Sequence, residues 1–324
     1  MYYTFNMGHY SDSSCFFAIF LFCINNLTYE FRNIMYHKIQ IAKHLLVIAI
    51  TFLHTSTRKY ETEVLEMKRI GQISIVLLLI LAVVAASGCT GTKSKKLVEE
   101  GYLTIGTEAQ YPPFEIIKPD GSFYGFDIAL GEALAKELGL KPKFVDTDFA
   151  SIIASLNSGK FDVAMSAMTI TEDRQKTVNF SDPYFDAGLS MAVPINSNKQ
   201  TVNDLNGAII GVQLGTTGDI YASELKNVKE IKRYAHTPDA FLDMKNGKVD
   251  AVINDDVVNK PIVASDPTSF KVVSSLLTVE QYGVAISKEN EDLLLKINAA
   301  LKKLKVNGTY DQIYDQYIVN WSDE

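Results

Sequence analysis

From residue 97 onward, short apolar runs of strand length alternate with stretches in which apolar residues recur at helical spacing. The run YLTIGT at 102–107 predicts a strand. The segment 125–139 predicts a helix, with Asp127 as its N-cap and a glycine at its end. Further strands are predicted at 142–146, 161–168, 188–195, 208–213, 229–235, 249–255 and 282–287, and further helices at 151–159, 218–226, 239–247 and 291–307.

Strand–helix alternation of this kind predicts an α/β fold with mainly parallel strand pairing. Two segments, 98–187 and 189–280, follow a similar pattern. In each of them a strand ends in polar residues, FDVAMSAMT in the first and VDAVINDD in the second. Ligands bind at the carboxyl ends of strands in such sheets, so two facing ends predict a cleft between two lobes.

Charge and composition narrow the possible chemistry. Residues 1–89 carry a net charge of +2 and residues 90–324 a net charge of −9, which disfavours a nucleic-acid partner. All three cysteines precede residue 90, so the remainder has no disulfide and no thiolate metal site. His236 is the only histidine after residue 89, so a histidine-based triad would depend on that one residue. Metal ligands would have to be carboxylates, which zinc rarely accepts, and we therefore expect no metal site.

The N-terminal part contains a leader-like pattern that begins at Met67. Two basic residues precede an apolar run that ends in ASGC, and residues 67–89 are interpreted as a signal peptide with a lipobox-like end or as a membrane anchor. Cys89 is the predicted lipidation site, and 90–96 is a polar tether. Residues 1–66 fit neither pattern, and our hypothesis is that they are a non-native extension and that Met67 is the true start.

Eight motifs in the body occur in an order that resembles one known family. That family is solute-binding protein family 3, the extracytoplasmic polar amino-acid-binding proteins of ABC importers, and its arginine binders are the most similar in motif. The motifs are YPPFE at 111–115, GFDIAL at 125–130, SAMTITEDR at 166–174, FSDPY at 180–184, VQLGTTGD at 212–219, DAVIND at 250–255, YGVAI at 282–286 and NGTYDQIY at 307–314.

The resemblance implies a two-lobe periplasmic-binding-protein fold of type II, with two hinge strands and a ligand cleft between the lobes. Lobe 1 is predicted to comprise 97–187 plus 283–324, and lobe 2 to comprise 188–282. The two crossings between the lobes are expected near Ala187–Val193 and Gln281–Ile286.

Within this resemblance, the charges of a buried amino acid need compensating groups. Arg174 would clamp the α-carboxylate as a bidentate guanidinium, and Asp255 would hold the α-ammonium. The backbone N–H of Thr169 would bind the carboxylate, and its hydroxyl can bind the ammonium. Further predicted ligand contacts are Ala167 through its carbonyl, Met168 in the same motif, and Thr216 and Thr217 at a helix start.

The ligand side chain is predicted to lie between Tyr111 and Phe149, with Glu108 at the mouth of the site. A carboxylate beside aromatic rings suits a cationic side chain. Gln213 would add a neutral contact, and Asn254 could contribute as well.

Structural alternatives remain open for each of these residues. Arg174 could be a solvated helix residue, Asp255 a helix N-cap, and Glu108 a solvated residue at a strand end. Tyr111 and Phe149 could be packing residues. The two threonines could form an ordinary helix start, and Thr171 is interpreted as a cap.

The predicted function is binding of a free amino acid, arginine or another basic one, and its delivery to ABC permease subunits. Glutamine or another polar amino acid is the alternative ligand. An enzyme of the same fold, such as a dehydratase, is a further alternative and would need an acid–base pair in the cleft. A sensor ectodomain would need a signalling domain after residue 324. We expect a non-enzymatic monomer without cofactors, held at the outer face of the membrane by a lipid or an N-terminal helix.

Overall fold

The computed structural model describes residues 43–44, 46–48, 96–273 and 276–321. The chain divides into two units, Met1–Thr90 and Gly91–Glu324, and the second contains the α/β body. The predicted leader at 67–89, with its lipidation site Cys89, lies outside the described residues, as does nearly all of the extension and of the tether. In the described part of the chain, no helix combines the length and apolarity needed to cross a membrane.

The described part of the body alternates strands and helices, as the apolar pattern predicts. The strands are β1 (Tyr102–Thr107), β2 (Gln110–Tyr111), β3 (Glu115–Ile117), β4 (Phe123–Tyr124), β5 (Lys141–Asp146), β6 (Val163–Ala164), β7 (Val178–Phe180), β8 (Phe185–Ala187), β9 (Leu189–Pro194), β10 (Ile209–Gln213), β11 (Glu230–Tyr234), β12 (Ala251–Asp255), β13 (Phe270–Val273), β14 (Glu280–Tyr282) and β15 (Ala285–Ser287). The helices are α1 (Phe126–Glu137), α2 (Phe149–Asn157), α3 (Glu172–Thr177), α4 (Thr217–Glu224), α5 (Thr237–Lys245), α6 (Asp256–Ser265), α7 (Glu291–Val306) and α8 (Thr309–Tyr314), with a 3-10 turn at Val202–Leu205 and a π-helical turn at Asp315–Val319.

Two five-stranded sheets with the same strand arrangement form the two lobes. The first has the order β5-β1-β6-β15-β7, with β1 parallel to both β5 and β6 and β15 antiparallel to its neighbours. The second has the order β11-β10-β12-β9-β13, with β10 parallel to its neighbours and β9 antiparallel. The predicted α/β fold of two lobes is confirmed. The exact division at residues 187/188 and 282/283 stays a prediction.

The chain passes between the two sheets through β8 and β14, which pair with each other in antiparallel register. The predicted crossings overlap these two strands but also include β9 and β15, which belong to the sheets themselves. Gly188 follows β8 at a point where a Cβ atom would lie 2.3 Å from the carbonyl oxygen of Thr278. Only glycine fits this close approach between the two crossing segments.

The lobes have separate apolar cores. In lobe 1, β1 packs with α1 and α7, so that Ile105, Leu130 and Ile297 are buried together. In lobe 2, a corresponding core forms around β10, β12 and β9. The strands of parallel sheets are covered on both faces, and the near-continuous burial of β1 and β12 follows from that covering.

Candidate functional site

The carboxyl ends of β6, β10 and β12 meet at a small cavity between the two lobes. The cavity has about 10 Å³ of space for the centres of water-sized molecules, roughly the requirement of one water. Nine of its ten lining residues are predicted ligand contacts, and the tenth is Ser166. The nine are Tyr111, Phe149, Ala167, Thr169, Arg174, Gln213, Thr216, Thr217 and Asp255.

Arg174 enters this cavity from the first turn of α3. The helix starts where predicted, because the hydroxyl of Thr171 accepts the backbone N–H of Arg174 as an N-cap. The guanidinium donates from Nη1 to the carbonyl of Thr169 over 2.7 Å and from Nη2 to the carbonyl of Gly215 over 3.0 Å. Its central carbon lies 5.2 Å from the ring centroid of Phe149. The side chain therefore spans both lobes and is not a solvated helix residue.

Asp255 ends β12 and faces the same cavity. Its Oδ2 accepts the hydroxyl of Tyr111 over 2.6 Å, and its Oδ1 is buried with no hydrogen-bond partner among the residues that the structure describes. Asp255 stands at the N-cap position of α6, but its side chain makes no capping bond. Burial raises the pKa of the Asp255 carboxyl to about 6, and the Tyr111 hydroxyl partly offsets that rise. A buried carboxylate with one open oxygen can accept an ammonium group.

The two threonines that start α4 use their hydroxyls differently. Thr216 is the N-cap, since its hydroxyl accepts from the backbone N–H of Asp219 and donates to the carbonyl of Gln213 over 2.8 Å. The hydroxyl of Thr217 leaves the helix and donates to the carboxylate of Glu280 on β14 over 2.8 Å. The alternative of an ordinary helix start thus holds for the Thr216 hydroxyl.

Glu108 lies beside the cavity and is buried rather than at its mouth. Only 2% of the residue is exposed. Its carboxylate contacts two lobe 2 side chains, Nδ1 of His236 at 2.6 Å and Nε2 of Gln213 at 3.3 Å. Burial raises the pKa of the Glu108 carboxyl to about 7, against the lowering effect of those two partners. The expectation of a position at the mouth of the site, and the alternative of a solvated strand end, are both wrong.

His236 completes this cluster and was not among the predicted contacts. It precedes α5, and its Nε2 lies 3.2 Å from Nε2 of Gln110. Gln213 also donates to the carbonyl of Ala235 over 2.9 Å, which holds its amide toward Glu108. The single histidine after residue 89 was a visible signal, but nothing local in the sequence indicates that its ring meets Glu108.

Two buried acids, Glu115 and Asp127, form hydrogen bonds with the first residues of the SAMTITEDR segment at 166–174. Ala167 has a positive φ of 45°, rare for a non-glycine residue, and its N–H donates to Oδ2 of Asp127 over 2.7 Å. Ser166 donates its hydroxyl to Glu115 over 2.8 Å and accepts the backbone N–H of Glu108 over 3.0 Å. Both Asp127 and Glu115 are fully buried, and burial raises the pKa values of their carboxyls.

The predicted N-cap role of Asp127 is wrong. The residue that precedes α1 is Gly125, and Asp127 turns inward to the Ala167 N–H and to the hydroxyl of Tyr184 over 2.8 Å. Gly125 has a φ of 132°, and a Cβ there would lie 2.2 Å from the Phe114 carbonyl oxygen, so the helix begins at a position that requires glycine.

Two further predicted contacts lie outside the cavity. Met168 packs its side chain into an apolar cluster with Ile152 and Phe161, because it points to the core face of the segment. The Oδ1 of Asn254 lies 2.8 Å from the hydroxyl oxygen of Tyr111, whose one proton it shares with the carboxylate of Asp255, and Asn254 so acts on the site through Tyr111. Among the described residues, no group of three or more His, Cys, Asp or Glu side chains is arranged to hold a metal ion.

Comparison with known families identifies one match. The model of the bacterial extracellular solute-binding proteins, family 3, matches residues 103–320. Among curated proteins, ABC transporter arginine-binding protein 1 of Escherichia coli is 34% identical over 74% of this chain and 98% of its own length. The L-arginine-binding protein of Pseudomonas aeruginosa is 36% identical over 66% of this chain and 86% of its own length.

Solved structures agree with this match. An ancestral arginine-binding protein bound to arginine is 43% identical with a TM-score of 0.65, over 67% of this chain and 98% of its own. The ancestral protein bound to glutamine is 42% identical with a TM-score of 0.65, over 68% and 98%. An ancestral amino-acid-binding protein described as a precursor of cyclohexadienyl dehydratase is 40% identical with a TM-score of 0.62, over 67% and 95%.

Proposed function

The chain belongs to the bacterial extracellular solute-binding proteins of family 3, and on that premise we propose that it is the amino-acid receptor of an ABC importer. It captures one free amino acid between its lobes and delivers it to permease subunits in the membrane. The observation that carries this proposal is the position of Arg174 and Asp255, a half-buried cation and a buried acid that line one cavity. A zwitterion needs this pair of charges to leave water.

The carboxylate of the ligand binds on the Arg174 side. A guanidinium has five N–H donors in a planar fork, and two of them are used by the carbonyls of Thr169 and Gly215. The start of α4, at Thr217, adds backbone N–H groups and the positive end of a helix dipole. On the opposite side, the open Oδ1 of Asp255 receives the ammonium.

Binding requires the lobes to part and close again. The cavity is too small for an amino acid, and several hydrogen bonds join the lobes across it, among them Tyr111 to Asp255 and Arg174 to Gly215. Closure of two lobes on a hinge is a known route to sequester a ligand. The paired crossing strands β8 and β14 are the hinge of this motion.

We propose arginine or another basic amino acid as the ligand. Glu108 is a buried acid with no lysine or arginine partner in the described part of the chain, and a ligand guanidinium or ammonium would supply that charge. The rings of Tyr111 and Phe149 line the cavity beside it and favour a flat cationic group. The arginine-binding relatives support the same assignment.

Glutamine or another neutral polar amino acid is the alternative ligand, and one observation favours it. Glu108 already contacts His236 and the amide of Gln213, so a ligand without a cationic side chain would not leave it unpartnered. Catalysis is a more distant alternative, which rests on the raised pKa of Glu108, since a general acid works best with a pKa near neutrality. We propose binding without turnover.

The decisive experiment is a thermal-shift screen of the purified full chain against the twenty amino acids, followed by calorimetry. A ligand at a hundredfold excess over its Kd stabilises the protein by about 2.7 kcal/mol. We expect basic amino acids to give the largest shifts. A protein that responds to none of the twenty would contradict the proposed function, and mass spectrometry of the recovered ligand would detect any turnover.

We also propose that the protein works outside the cytoplasm as a monomer held at the outer face of the membrane. The pattern that ends in Cys89 supports a lipid anchor, and an uncleaved N-terminal helix is the alternative. Intact mass measurement of the native protein distinguishes them, because a lipid anchor at Cys89 requires cleavage of the chain immediately before that residue. Peptides from residues 1–66 in the native precursor would contradict the hypothesis that Met67 is the start.

A further inference from the structure

One carboxylate on the hinge strand receives hydroxyl groups from both lobes. Oε2 of Glu280 accepts from Oγ1 of Thr169 and from Oγ1 of Thr217, each over 2.8 Å. Its Oε1 accepts from Oγ1 of Thr278, also over 2.8 Å. Thr169 follows β6 in lobe 1, Thr217 begins α4 in lobe 2, and Glu280 begins β14 between them. The carboxylate therefore connects both lobes at the hinge.

These bonds determine how the two cavity-lining hydroxyls face a ligand. A threonine hydroxyl has one proton, and a carboxylate can only accept. With their protons directed to Glu280, the oxygens of Thr169 and Thr217 act toward the cavity as acceptors. An acceptor suits the ligand ammonium and does not suit the ligand carboxylate, so at Thr217 only the backbone N–H remains as a donor for the carboxylate.

The charge of Glu280 acts on the same site. Among the charges that affect Arg174 and Asp255, the Glu280 carboxylate is a stabilising neighbour of the guanidinium and a repelling neighbour of the aspartate. It does not touch the cavity itself. It lines an open groove of about 700 Å³ on the hinge side, together with Thr169, Thr217 and Thr278.

We propose that Glu280 is a positioning residue of the amino-acid site, which orients the Thr169 and Thr217 hydroxyls as acceptors for the ligand ammonium and ties both lobes to the hinge. This inference rests on the proposed function for its ligand. Parting of the lobes separates Thr169 from Thr217, so opening must break at least one of the two bonds to Glu280. The hinge strand and the ligand site are thereby mechanically linked.

The first test compares arginine with its analogue that lacks the α-amino group, by calorimetry on the full chain. Wild type should favour arginine strongly, because the analogue offers no proton to Thr169. In Glu280→Ala the freed hydroxyls can donate, and we expect the preference for arginine to shrink at least tenfold. Glu280→Gln keeps the side-chain shape and serves if the alanine variant does not fold, with a smaller reduction expected. Glu289→Gln, an exposed glutamate, is the matched control.

The second test is a double-mutant cycle, because a merely structural role would weaken every ligand alike. Thr217→Val should alter the arginine dissociation rate in wild type and have little further effect in Glu280→Ala. Effects that add, together with an unchanged preference between the two ligands, would overturn the proposal. The same cycle, measured by thermal unfolding of the ligand-free protein, tests the coupling between Thr217 and Glu280 without any ligand. If no amino acid binds, the proposed function fails, while this ligand-free coupling still decides whether the tie exists.

Discussion

Tyr111 of lobe 1 donates its phenolic hydroxyl to the carboxylate of Asp255 in lobe 2 over 2.6 Å, across a separation of 144 residues in the sequence. Both residues are buried, and the bond occupies one oxygen of Asp255 while the other stays open. Tyr111 therefore lines the cavity with its ring and joins the two lobes across the cavity with its hydroxyl.

Tyr111→Phe keeps the ring and removes that bond. We expect arginine binding to weaken by about ten- to a hundredfold, because a hydrogen bond to a charged group contributes about 1.5–3 kcal/mol. The loss should appear mainly as faster dissociation in stopped-flow measurements, since the closed state loses a contact between the lobes. Tyr102→Phe, on β1 and away from the cavity, is the control. Equal dissociation rates in wild type and Tyr111→Phe would show that the bond does not hold the closed state.

Arg174→Ala should abolish binding of every amino acid, because the carboxylate that it clamps is common to all of them. Arg174→Lys should recover little, since a lysine ammonium cannot make the bidentate contact. The measurement is calorimetry with the best ligand of wild type. Lys176→Ala removes an exposed cation from the same helix and should bind normally. Retained affinity in Arg174→Ala would refute the clamp.

Glu108→Gln tests the identity of the ligand side chain. We expect arginine binding to weaken by about a hundredfold, in the range of 2–5 kcal/mol measured for truncated buried charge pairs. A neutral amino acid such as glutamine should bind about as well as before. Glu100→Gln, an exposed acid near β1, is the control. An equal loss for arginine and glutamine would mean that Glu108 serves the structure of the site rather than its specificity.

Ligand binding should release protons below neutral pH. The pKa values of Asp255, about 6, and Glu108, about 7, mean that both carboxyls are largely protonated at pH 5.5 in the ligand-free protein. Arginine requires both to be ionised, so we expect release of about one to two protons, and about one for a neutral amino acid. Affinity should fall accordingly as pH falls below 7.

Calorimetry in buffers with different ionisation enthalpies measures this release directly. Asp256→Asn changes the neighbouring acid, which pairs with Lys260 on α6, and should release the same number of protons as wild type. Release of less than about half a proton at pH 5.5 would contradict the assignment of both carboxyls to the ligand.

The stability of the ligand-free protein should decrease as pH rises from about 4 to 7. Burial raises the pKa of Asp127 to about 7, so over this range the folded state keeps a proton that the unfolded state has released. Each such group lowers the free energy of unfolding by up to about 1.4 kcal/mol per pH unit. Glu115 acts in the same direction, because burial and the neighbouring Asp127 also raise its pKa.

Asp127→Asn resembles the protonated form and should flatten that slope. Denaturant unfolding at pH 5 and pH 7 measures the difference in the free energy of unfolding. Asp173→Asn replaces an exposed acid, whose pKa is lowered by Lys176, and should leave the slope between these two pH values unchanged. A slope in Asp127→Asn as steep as that of wild type would place the responsible proton elsewhere.

Much of the architecture could be predicted because it depends on local patterns. Strands and helices of five or more residues, such as β1 and α7, leave a clear apolar period. The small sheet β2-β3-β4 was missed, since a strand of two or three residues has no period to detect. The crossing strands β8 and β14 have no period either, and their approximate positions came only from the family resemblance. Their pairing is decided by partners that lie in other parts of the chain.

The candidate site was likewise predicted only in part from the sequence. Nine of the ten cavity-lining residues were predicted; eight of them lie in the motifs, where residue type and order were enough to recognise them, and the ninth is Phe149. The motifs did not indicate that Met168 points into the core, or that Asp127 turns inward behind Ala167. Neighbouring residues of an extended segment point to opposite sides, so the local backbone conformation decides which side chain faces the cavity. The positive φ of Ala167 changes that conformation locally.

The sequence by itself determined the two α/β lobes and the helix start that Thr171 caps, and through the family resemblance it predicted a guanidinium and a carboxylate for a zwitterion. These depend on apolar period, residue chemistry and contacts within one turn. Only the tertiary structure decided that Glu108 is buried against His236, 128 residues away, and that Glu280 receives hydroxyls from both lobes. The physical reason is that burial and hydrogen-bond partners depend on which distant elements pack together, and no local pattern in the sequence specifies those elements.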